Sequence, residues 1–375
     1  MIKELISLFS IFTSSASSNK KKEKEYSKMD DQKFNYAVSC SAPQLCPVRV
    51  LVADFISESG TLSGNLGNSF HYAGMGEGRI SLSSVDENFS SLPKAIVAIW
   101  ASFVDRKVYG ISLPLPYTQI LDIFNKYEDI YGLDVCFLPG GKAIIYAKGG
   151  GRKVLLDFIG MGEIVTDEDV LKEIYMTYGC KNMQEYFDEY YSDSLKYKEK
   201  WISYFKKKGN PAIIFEKYIQ RFNYKLNFEF EDSCVNNILI RSPFTNKECY
   251  RITQNYENEI NNSAIITEIK ALWDTKDFHY TCFMYFNEKE MLRVFDEAYG
   301  EDKTQKGEFK IKVGKDNNQF DISLNVGDKC IKLEKTEIDV FQDPIDDPDG
   351  DGTLIYDNYD ERHNYFADDE KYVVD

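Results

Sequence analysis

Two stretches of sequence decide the fold: residues 109–124 read YGISLPLPYTQILDIF, and residues 280–295 read YTCFMYFNEKEMLRVF. They align without a gap, and their apolar residues coincide at five positions, the last pair being Phe124 and Phe295. In both stretches an alternating pattern gives way to apolar residues at helical spacing, which predicts a strand followed by a short amphipathic helix. We therefore expect the same strand–helix element to occur twice in the chain.

The similarity extends to both sides of these stretches. Residues 98–100 (AIW) are echoed by residues 271–273 (ALW), and residues 36–52 match residues 224–240 in a strand, loop, strand pattern. Each helix is followed by two alternating runs with turn residues between them, as a β-hairpin requires, and then by a further strand. The identity is low, so chance similarity between strands is the alternative. We favour an internal repeat with both tryptophans, Trp100 and Trp273, buried.

Between the two similar regions the periodicity changes to helical. Thr166 and Asp169 are compatible with a capped helix start, and Asn210-Pro211 begins another helix. The predicted fold class is α+β, with two tandem related β-rich units, each an antiparallel sheet plus a short helix. The predicted boundaries are a disordered leader at 1–31, a first unit at 32–165, a helical connector at 166–223, a second unit at 224–341 and an acidic tail at 342–375.

Length and charge limit the classes of function. The chain has 375 residues and a net charge of −16, which suits roughly two domains of about 150 residues. A strongly acidic chain is a poor match for double-stranded nucleic acid, because phosphate contacts need basic patches, so no nucleic-acid partner is expected. No run of about 18 apolar residues is present, so no transmembrane helix is expected either.

The charge is concentrated at the C-terminus. Residues 342–375 contain twelve acidic and two basic residues. Within them, Asp347, Asp349 and Asp351 occupy positions 1, 3 and 5 of a calcium-loop pattern. Position 12 is Asn358, which cannot supply the bidentate carboxylate of such a loop. The prediction is a mobile acidic tail from about Asp343, with a weak Ca²⁺ site as the alternative and no other cofactor.

The cysteines favour a reducing compartment. None of the eight forms a CxxC pair, and several, such as Cys136, Cys282 and Cys330, fall inside strand-like runs where a thiol is expected to be buried. The N-terminus is ambiguous, because a short apolar stretch after Glu4 resembles a poor signal peptide and Met29 is an alternative start. A cytoplasmic location is favoured over export.

The motifs for chemistry are weak. Residues 74–78 (GMGEG) form a partial nucleotide-loop string without the strand–helix context, so a loop or bulge is predicted. Residues 149–151 (GGG) are predicted to be a hairpin turn. His71 and His279 are interpreted as packed or surface histidines, since no GxSxG elbow accompanies them. We therefore expect no catalytic site and no enzyme activity.

The first half of the chain resembles a known family. The residues that carry the resemblance read FNYAVSCSAP (34–43), GMGEGR (74–79), LPKAIVAIWASFVDRKVYGISLPLP (92–116) and LPGGKAIIYAKGGGRKVLLDF (138–158). Residues 33–225 are similar to the bacterial domain-of-unknown-function family 2931, on the landmarks Pro47, Gly76, Leu92-Pro93, Trp100, Tyr109, Leu113-Pro114 and Pro139-Gly140-Gly141. The resemblance implies a fold and carries no chemistry. Many members look like lipoproteins, whereas this sequence lacks a lipobox, and some resemble immunity proteins encoded beside antibacterial effectors.

The functional hypothesis is a non-catalytic protein-binding protein, with an immunity or antitoxin role as its specific form. An acidic binder suits a basic protein partner, since complementary charge speeds association. The alternatives are a small-molecule or carbohydrate-binding surface protein, which would place exposed aromatics over a groove, and an uncharacterised enzyme. A concave pocket with convergent titratable groups would favour the enzyme.

Overall fold

The structure is a computed structural model. It describes residues 32–57, 62–65, 69–71, 73–78, 90–189, 203, 205–207, 209–253, 262–346 and 352–359. The chain divides into two compact units, unit 1 at Met1–Phe215 and unit 2 at Glu216–Val373. Both are rich in β-strands with a few helices, so the α+β fold class is confirmed.

The strands of unit 1 form two sheets. The strands are β1 (Ala37–Ser41), β2 (Val48–Ile56), β3 (Leu62–Asn65), β4 (Ser69–His71), β5 (Ala95–Ser102), β6 (Lys107–Pro114), β7 (Gly132–Leu138), β8 (Lys142–Gly149), β9 (Arg152–Met161) and β10 (Glu163–Ile164). One sheet has the order β1-β7-β8-β9, in which β1 and β7 are parallel. The other has the order β10-β6-β5-β2-β3, and β4 also pairs with β2. The glycines at 150 and 151 turn the chain between β8 and β9, as predicted.

Helix α1 (Tyr117–Lys126) encloses the core of unit 1. It buries Ile120, Leu121 and Phe124, the apolar face that the sequence pattern predicts. This face packs with one side of each sheet, including Trp100, which is fully buried and stacks on Phe137 with a ring separation of 4.4 Å. Trp100 is therefore a central core residue, as expected from its position in an apolar strand.

Two further helices belong to unit 1. Helices α2 (Glu168–Thr177) and α3 (Met183–Glu189) bury Ile174, Tyr186 and Phe187 against the opposite side of the β2–β5–β6 sheet. The N-cap of α2 is Asp167, whose carboxylate accepts the backbone N–H groups of residues 169 and 170, in place of the Thr166 cap considered from sequence. The first part of the predicted connector thus packs on unit 1.

The strands of unit 2 also form two sheets. The strands are β11 (Tyr224–Phe230), β12 (Asn236–Pro243), β13 (Cys249–Thr253), β14 (Glu268–Asp274), β15 (Phe278–Phe286), β16 (Gly307–Val313), β17 (Phe320–Val326), β18 (Lys329–Lys332), β19 (Thr336–Pro344) and β20 (Thr353–Asp357). One sheet has the order β11-β16-β17-β18, in which β11 and β16 are parallel. The other has the order β13-β12-β14-β15-β19-β20.

Helix α5 (Glu288–Tyr299) covers the core of unit 2. The Asn287 side chain caps its first turn by accepting the N–H of Glu290, and the helix buries Met291, Val294 and Phe295. Trp273 is fully buried in the same core, as predicted. A remaining helix, α4 (Pro211–Tyr218), begins at the Asn210-Pro211 start that the sequence indicates.

Two expectations about the C-terminal half need correction. Part of the segment predicted to be a mobile acidic tail is strand β20, which pairs antiparallel with β19, and the Tyr359 hydroxyl donates to both oxygens of Asp339 at 2.8 Å. The apolar residues 354–356 of β20 are half-buried, and this burial favours the strand over a mobile tail. Cys330, predicted to be buried, is exposed on the edge strand β18. None of the helices in the described ranges is both long and apolar enough to span a membrane.

Candidate functional site

A buried carboxylate lies at the centre of the candidate site. Strand β7 reads GLDVCFL, and all seven residues are buried, including the one charged residue, Asp134. The parallel register places Ser39 of β1 directly opposite Asp134. The Ser39 hydroxyl donates to Asp134 Oδ2 at 2.5 Å, and the Ser41 hydroxyl donates to Oδ1. Each carboxylate oxygen of Asp134 therefore accepts a hydroxyl hydrogen bond.

Lys148 supplies the compensating positive charge. It comes from β8, and its Nζ lies 3.2 Å from Asp134 Oδ2, with 15% of the side chain exposed. The same ammonium donates to the backbone carbonyls of Gly78 at 2.5 Å and Gly76 at 3.3 Å. A buried charge pair is tolerated only when its remaining donors and acceptors are hydrogen-bonded, which this arrangement achieves. We refer to Ser39, Ser41, Asp134 and Lys148 as the Asp134 cluster.

A glycine-rich strap closes over the cluster. The strap comprises residues 74–78, and it begins where the Gly74 amide donates to the Ala42 carbonyl at 3.0 Å. The Gly76 amide donates to Ser41 Oγ at 3.0 Å. Lys153 donates to the Met75 carbonyl at 3.1 Å and forms an ion pair with Glu77. Residues 74–78 are thus a loop, as predicted, and two lysines bind its backbone.

The strap needs glycine at position 78 because its backbone there lies directly against the Asp134 carboxylate. A Cβ added to Gly78 would lie 2.0 Å from Asp134 Oδ2 and 2.4 Å from the Cys40 carbonyl oxygen. No side chain fits at these distances. Glycine at position 78 therefore allows the strap backbone to pack directly on the buried Asp134 carboxylate.

Two thiols lie beside the carboxylate. Burial, and then the charge of Asp134, raise the pKa of Cys136 to about 12. The same two causes, in the same order, raise the pKa of Cys40 well above its usual value. Both thiols stay protonated near neutral pH, and a protonated thiol is a poor nucleophile and a poor metal ligand.

His71 approaches the cluster from β4. Its Nε2 lies 2.7 Å from the Ser69 hydroxyl. Burial lowers the pKa of His71, although the Asp134 charge and a hydrogen bond to the Cys40 backbone oppose the shift. The ring is therefore neutral near pH 7, and its hydrogen bonds orient it at the sheet edge.

This arrangement of polar groups can hold neighbouring strands and the strap together. Asp134 is fully buried, and its oxygens bind the cluster's own hydroxyls and Lys148. The lysine directs its other donors to the strap carbonyls. The groups thus join β1, β7, β8 and the strap into one polar network.

A family model that matches about half of the chain shows which family the protein belongs to. A model described as "Protein of unknown function (DUF2931)" matches residues 16–212. The chain belongs to this family. The Asp134 cluster, the strap and His71 all lie within the DUF2931 match, whereas strands β11 to β20 lie outside it. No curated protein and no solved structure matches the chain.

The other candidates from sequence lie elsewhere. The proposed calcium ligands Asp347, Asp349 and Asp351 fall outside the described residues. Within the described ranges, no group of three or more His, Cys, Asp or Glu side chains is placed to hold a metal ion. His279 Nδ1 lies 2.6 Å from Asp274 Oδ1 across the β14–β15 hairpin, as a partly exposed surface pair.

Sequence reasoning missed the Asp134 cluster. The available signal is a charged residue inside each of two apolar strands, Asp134 in GLDVCFL and Lys148 in KAIIYAKG. Charged residues are almost never fully buried unless they are paired, so two such strands in succession predict an ion pair. The serines of β1 carry no comparable signal, because their contact depends on the parallel register.

Proposed function

We propose that this DUF2931 protein is a non-catalytic protein that binds another protein. The observation that carries the proposal is a run of exposed apolar side chains in unit 1. Phe158 is 45% exposed, Met161 51% and Ile164 50%, all within seven residues of sequence. Exposed apolar residues grouped in this way are typical of protein-interaction surfaces.

The charges beside this run favour a basic partner. Asp157 and Glu163 are exposed next to Phe158 and Ile164. The whole chain carries a net charge of −16, so long-range attraction would accelerate the approach of a basic protein. Neutralisation of a toxin is the specific form that we propose for this binding.

The Asp134 cluster supports a non-catalytic role for the buried polar groups. Its carboxylate bonds to neighbouring hydroxyls and an ammonium, and the adjacent thiols Cys40 and Cys136 have raised pKa values. A general base or nucleophile needs a tuned pKa and access to substrate. The cluster is therefore better suited to holding the fold than to chemistry.

Titration calorimetry against the purified proteins encoded beside this gene tests the proposal. We expect one of them to bind with a dissociation constant of about 1 μM or tighter. The triple variant Phe158→Ala, Met161→Ala and Ile164→Ala should weaken that binding at least about tenfold, since apolar anchors carry most of an interface's free energy.

A matched control is available on helix α2. Met176 is 59% exposed in the same unit, so Met176→Ala removes a similar apolar surface at another place and should leave the affinity unchanged. Affinity that survives the triple variant, or the absence of binding to every neighbouring product, would contradict the proposal.

We also propose that units 1 and 2 are tandem copies of one ancestral unit. Two observations support this. The sheet orders β1-β7-β8-β9 and β10-β6-β5-β2-β3 correspond strand for strand to β11-β16-β17-β18 and β19-β15-β14-β12-β13. Tyr36 meets Phe124 edge to face at 5.9 Å, and Tyr224 meets Phe295 edge to face at 5.2 Å. An experimental structure in which residues 36–160 and 224–340 fail to superpose would exclude a duplication.

We also propose that the protein resides in a reducing compartment, the cytoplasm. None of the eight cysteines, all of which the structure describes, forms a disulfide, and five of them are buried. Free thiols persist in the cytosol, whereas export would expose them to oxidation. Fractionation of cells that produce the protein from its own start codon should recover it with the cytoplasmic fraction, and recovery from an exported fraction would contradict this assignment.

A further inference from the structure

The strap differs from the rest of unit 1 in the forces that hold it. Its anchors are almost all polar: the Ser41 hydroxyl accepts from Gly76, Lys148 donates to Gly76 and Gly78, and Lys153 donates to Met75. Among the residues of the strap, only Met75 contributes a buried apolar side chain. The neighbouring strands, by contrast, pack through a large apolar core.

How easily a segment opens locally depends on how much apolar surface it buries. Segments with few buried apolar side chains open with a smaller free energy than the core elements beneath them. The strap satisfies this condition, since three of its five residues are glycines without side-chain contacts of their own. Its attachment also depends on two lysines that come from a single hairpin, β8–β9.

We propose that the strap opens as a local unit, ahead of the rest of unit 1, and that Lys148 and Lys153 act as its latch. Opening would uncover the polar face of β1, β7 and β8, with the Ser39 and Ser41 hydroxyls, the Asp134 carboxylate and the Cys136 thiol. The inference does not depend on the proposed protein-binding role, because its anchors are Ser41, Lys148 and Lys153 and include none of the exposed apolar side chains at residues 158–164.

Two buried thiols of unit 1 provide the readout. Cys136 is fully buried beside Ser41 and the Gly76 amide, so the strap covers it. Cys40 is equally buried but belongs to the apolar core, which only unfolding of the unit would expose. The ratio of their alkylation rates therefore separates local opening from unfolding. The exposed thiols Cys234 and Cys330 report the reagent's intrinsic reactivity in the same sample.

The experiment is maleimide labelling of the full-length protein under native conditions, followed by peptide mass spectrometry. We expect Cys136 to be labelled at least about tenfold faster than Cys40, and Lys153→Met to raise the Cys136 rate by about a further tenfold, as loss of a charge-assisted hydrogen bond implies. Lys225→Met in unit 2 removes a lysine that pairs with Glu308 on β16 and should change neither rate.

Equal rates for Cys136 and Cys40 in the natural protein would overturn the proposal, because the strap would then open only when unit 1 unfolds. A Cys136 rate that is insensitive to Lys153→Met would overturn the assignment of the latch. If Lys153→Met does not fold, hydrogen exchange of the Gly76 amide in the natural protein still tests whether the strap opens locally. Protection of this amide equal to that of the β7 amides would exclude local opening.

Discussion

Strands β1-β7-β8-β9 and strands β11-β16-β17-β18 pair in the same pattern, but they differ on the face that points away from the apolar core of their unit. In unit 1 that face is covered by the strap and contains the fully buried Asp134. In unit 2 the corresponding face carries ion pairs whose side chains remain at least partly exposed, such as Lys310 with Glu229 and Lys332 with Asp321, and we call it the open face. The same backbone arrangement therefore supports a buried charge in one unit and a solvated one in the other.

Loop length explains the difference. Between the end of β3 and the bridge at Ser90, unit 1 has residues 66–89, whereas between β13 and the bridge at Ser263, unit 2 has residues 254–262. The longer segment in unit 1 includes β4 and the strap. A buried ion pair needs additional hydrogen bonds to offset its desolvation, and the strap carbonyls supply them. An open ion pair needs no such cover, and it also stabilises little.

The largest expected effect is the loss of the buried charge. Asp134→Ala leaves the Lys148 ammonium without its carboxylate, and we expect unit 1 to lose about 3–5 kcal/mol of unfolding free energy. Lys310→Ala in unit 2, on the open face, should change the stability of that unit little. Hydrogen exchange of the amides of β7 and β16 measures the two units separately.

The double variant Asp134→Leu with Lys148→Met sharpens this test. Removing both charges leaves no unpaired ion, so the double variant should lose less stability than Asp134→Ala alone. If Asp134→Ala and Lys310→Ala cost the same, the distinction between a covered and an open face would be wrong.

The second expected effect concerns the strap's fit. Gly78→Ala places a methyl group against the Asp134 carboxylate, so the strap must shift, at a cost near the upper end of about 1–3 kcal/mol. Gly151→Ala is the matched control in the β8–β9 turn. It has φ +78° and nothing within 4 Å of the added Cβ, so it should cost only about 1 kcal/mol of backbone strain. Equal losses would mean that close contact is irrelevant to the role of Gly78.

Much of the fold could be predicted because its signals are local. Alternation over residues 109–116 and the helical spacing after it predict β6 and α1, and the same holds for β15 and α5. The burial of Trp100 and Trp273 was predicted because each precedes an alternating strand at the same place in its half of the chain, and both are fully buried. Strand order is less accessible, because hydrogen bonding between β1 and β7 joins residues about 95 positions apart.

The candidate site was not predictable to the same extent. Asp134 and Lys148 stand out as charges in apolar strands, but their contact with Ser39 and the strap depends on tertiary structure. The fate of the C-terminal segment was misjudged for a similar reason. Its acidic composition predicts disorder, yet the short apolar stretch at residues 354–356 is enough to add strand β20 beside β19.

The third expected effect compares the two core tryptophans. Trp273 Nε1 donates to the buried Asn317 Oδ1 at 3.1 Å, whereas Trp100 Nε1 has no hydrogen-bond partner in the described parts of the chain. Trp273→Phe leaves a buried acceptor unsatisfied, while Trp100→Phe removes a buried donor that is already unpaired. We expect Trp273→Phe to cost about 1 kcal/mol more than Trp100→Phe. Hydrogen exchange in each unit checks this, and an equal or reversed order would contradict the assignment.

The smallest expected effect is a difference in pH dependence between the units. Burial lowers the pKa of His71 in the folded state, so the unfolded chain, with an ordinary histidine pKa of about 6.5, binds the proton more readily. The stability from the neutral ring is present above that unfolded pKa and is lost as the pH falls through the folded pKa. His71→Gln keeps a hydrogen-bonding group beside Ser69 but cannot titrate, so unit 1 should lose less stability between pH 7.5 and pH 5.5 in the variant than in the natural protein. Unit 2 is the internal control, since its pH dependence should be the same in both proteins. An unchanged pH profile of unit 1 would show that the proton on His71 is not coupled to the covered face.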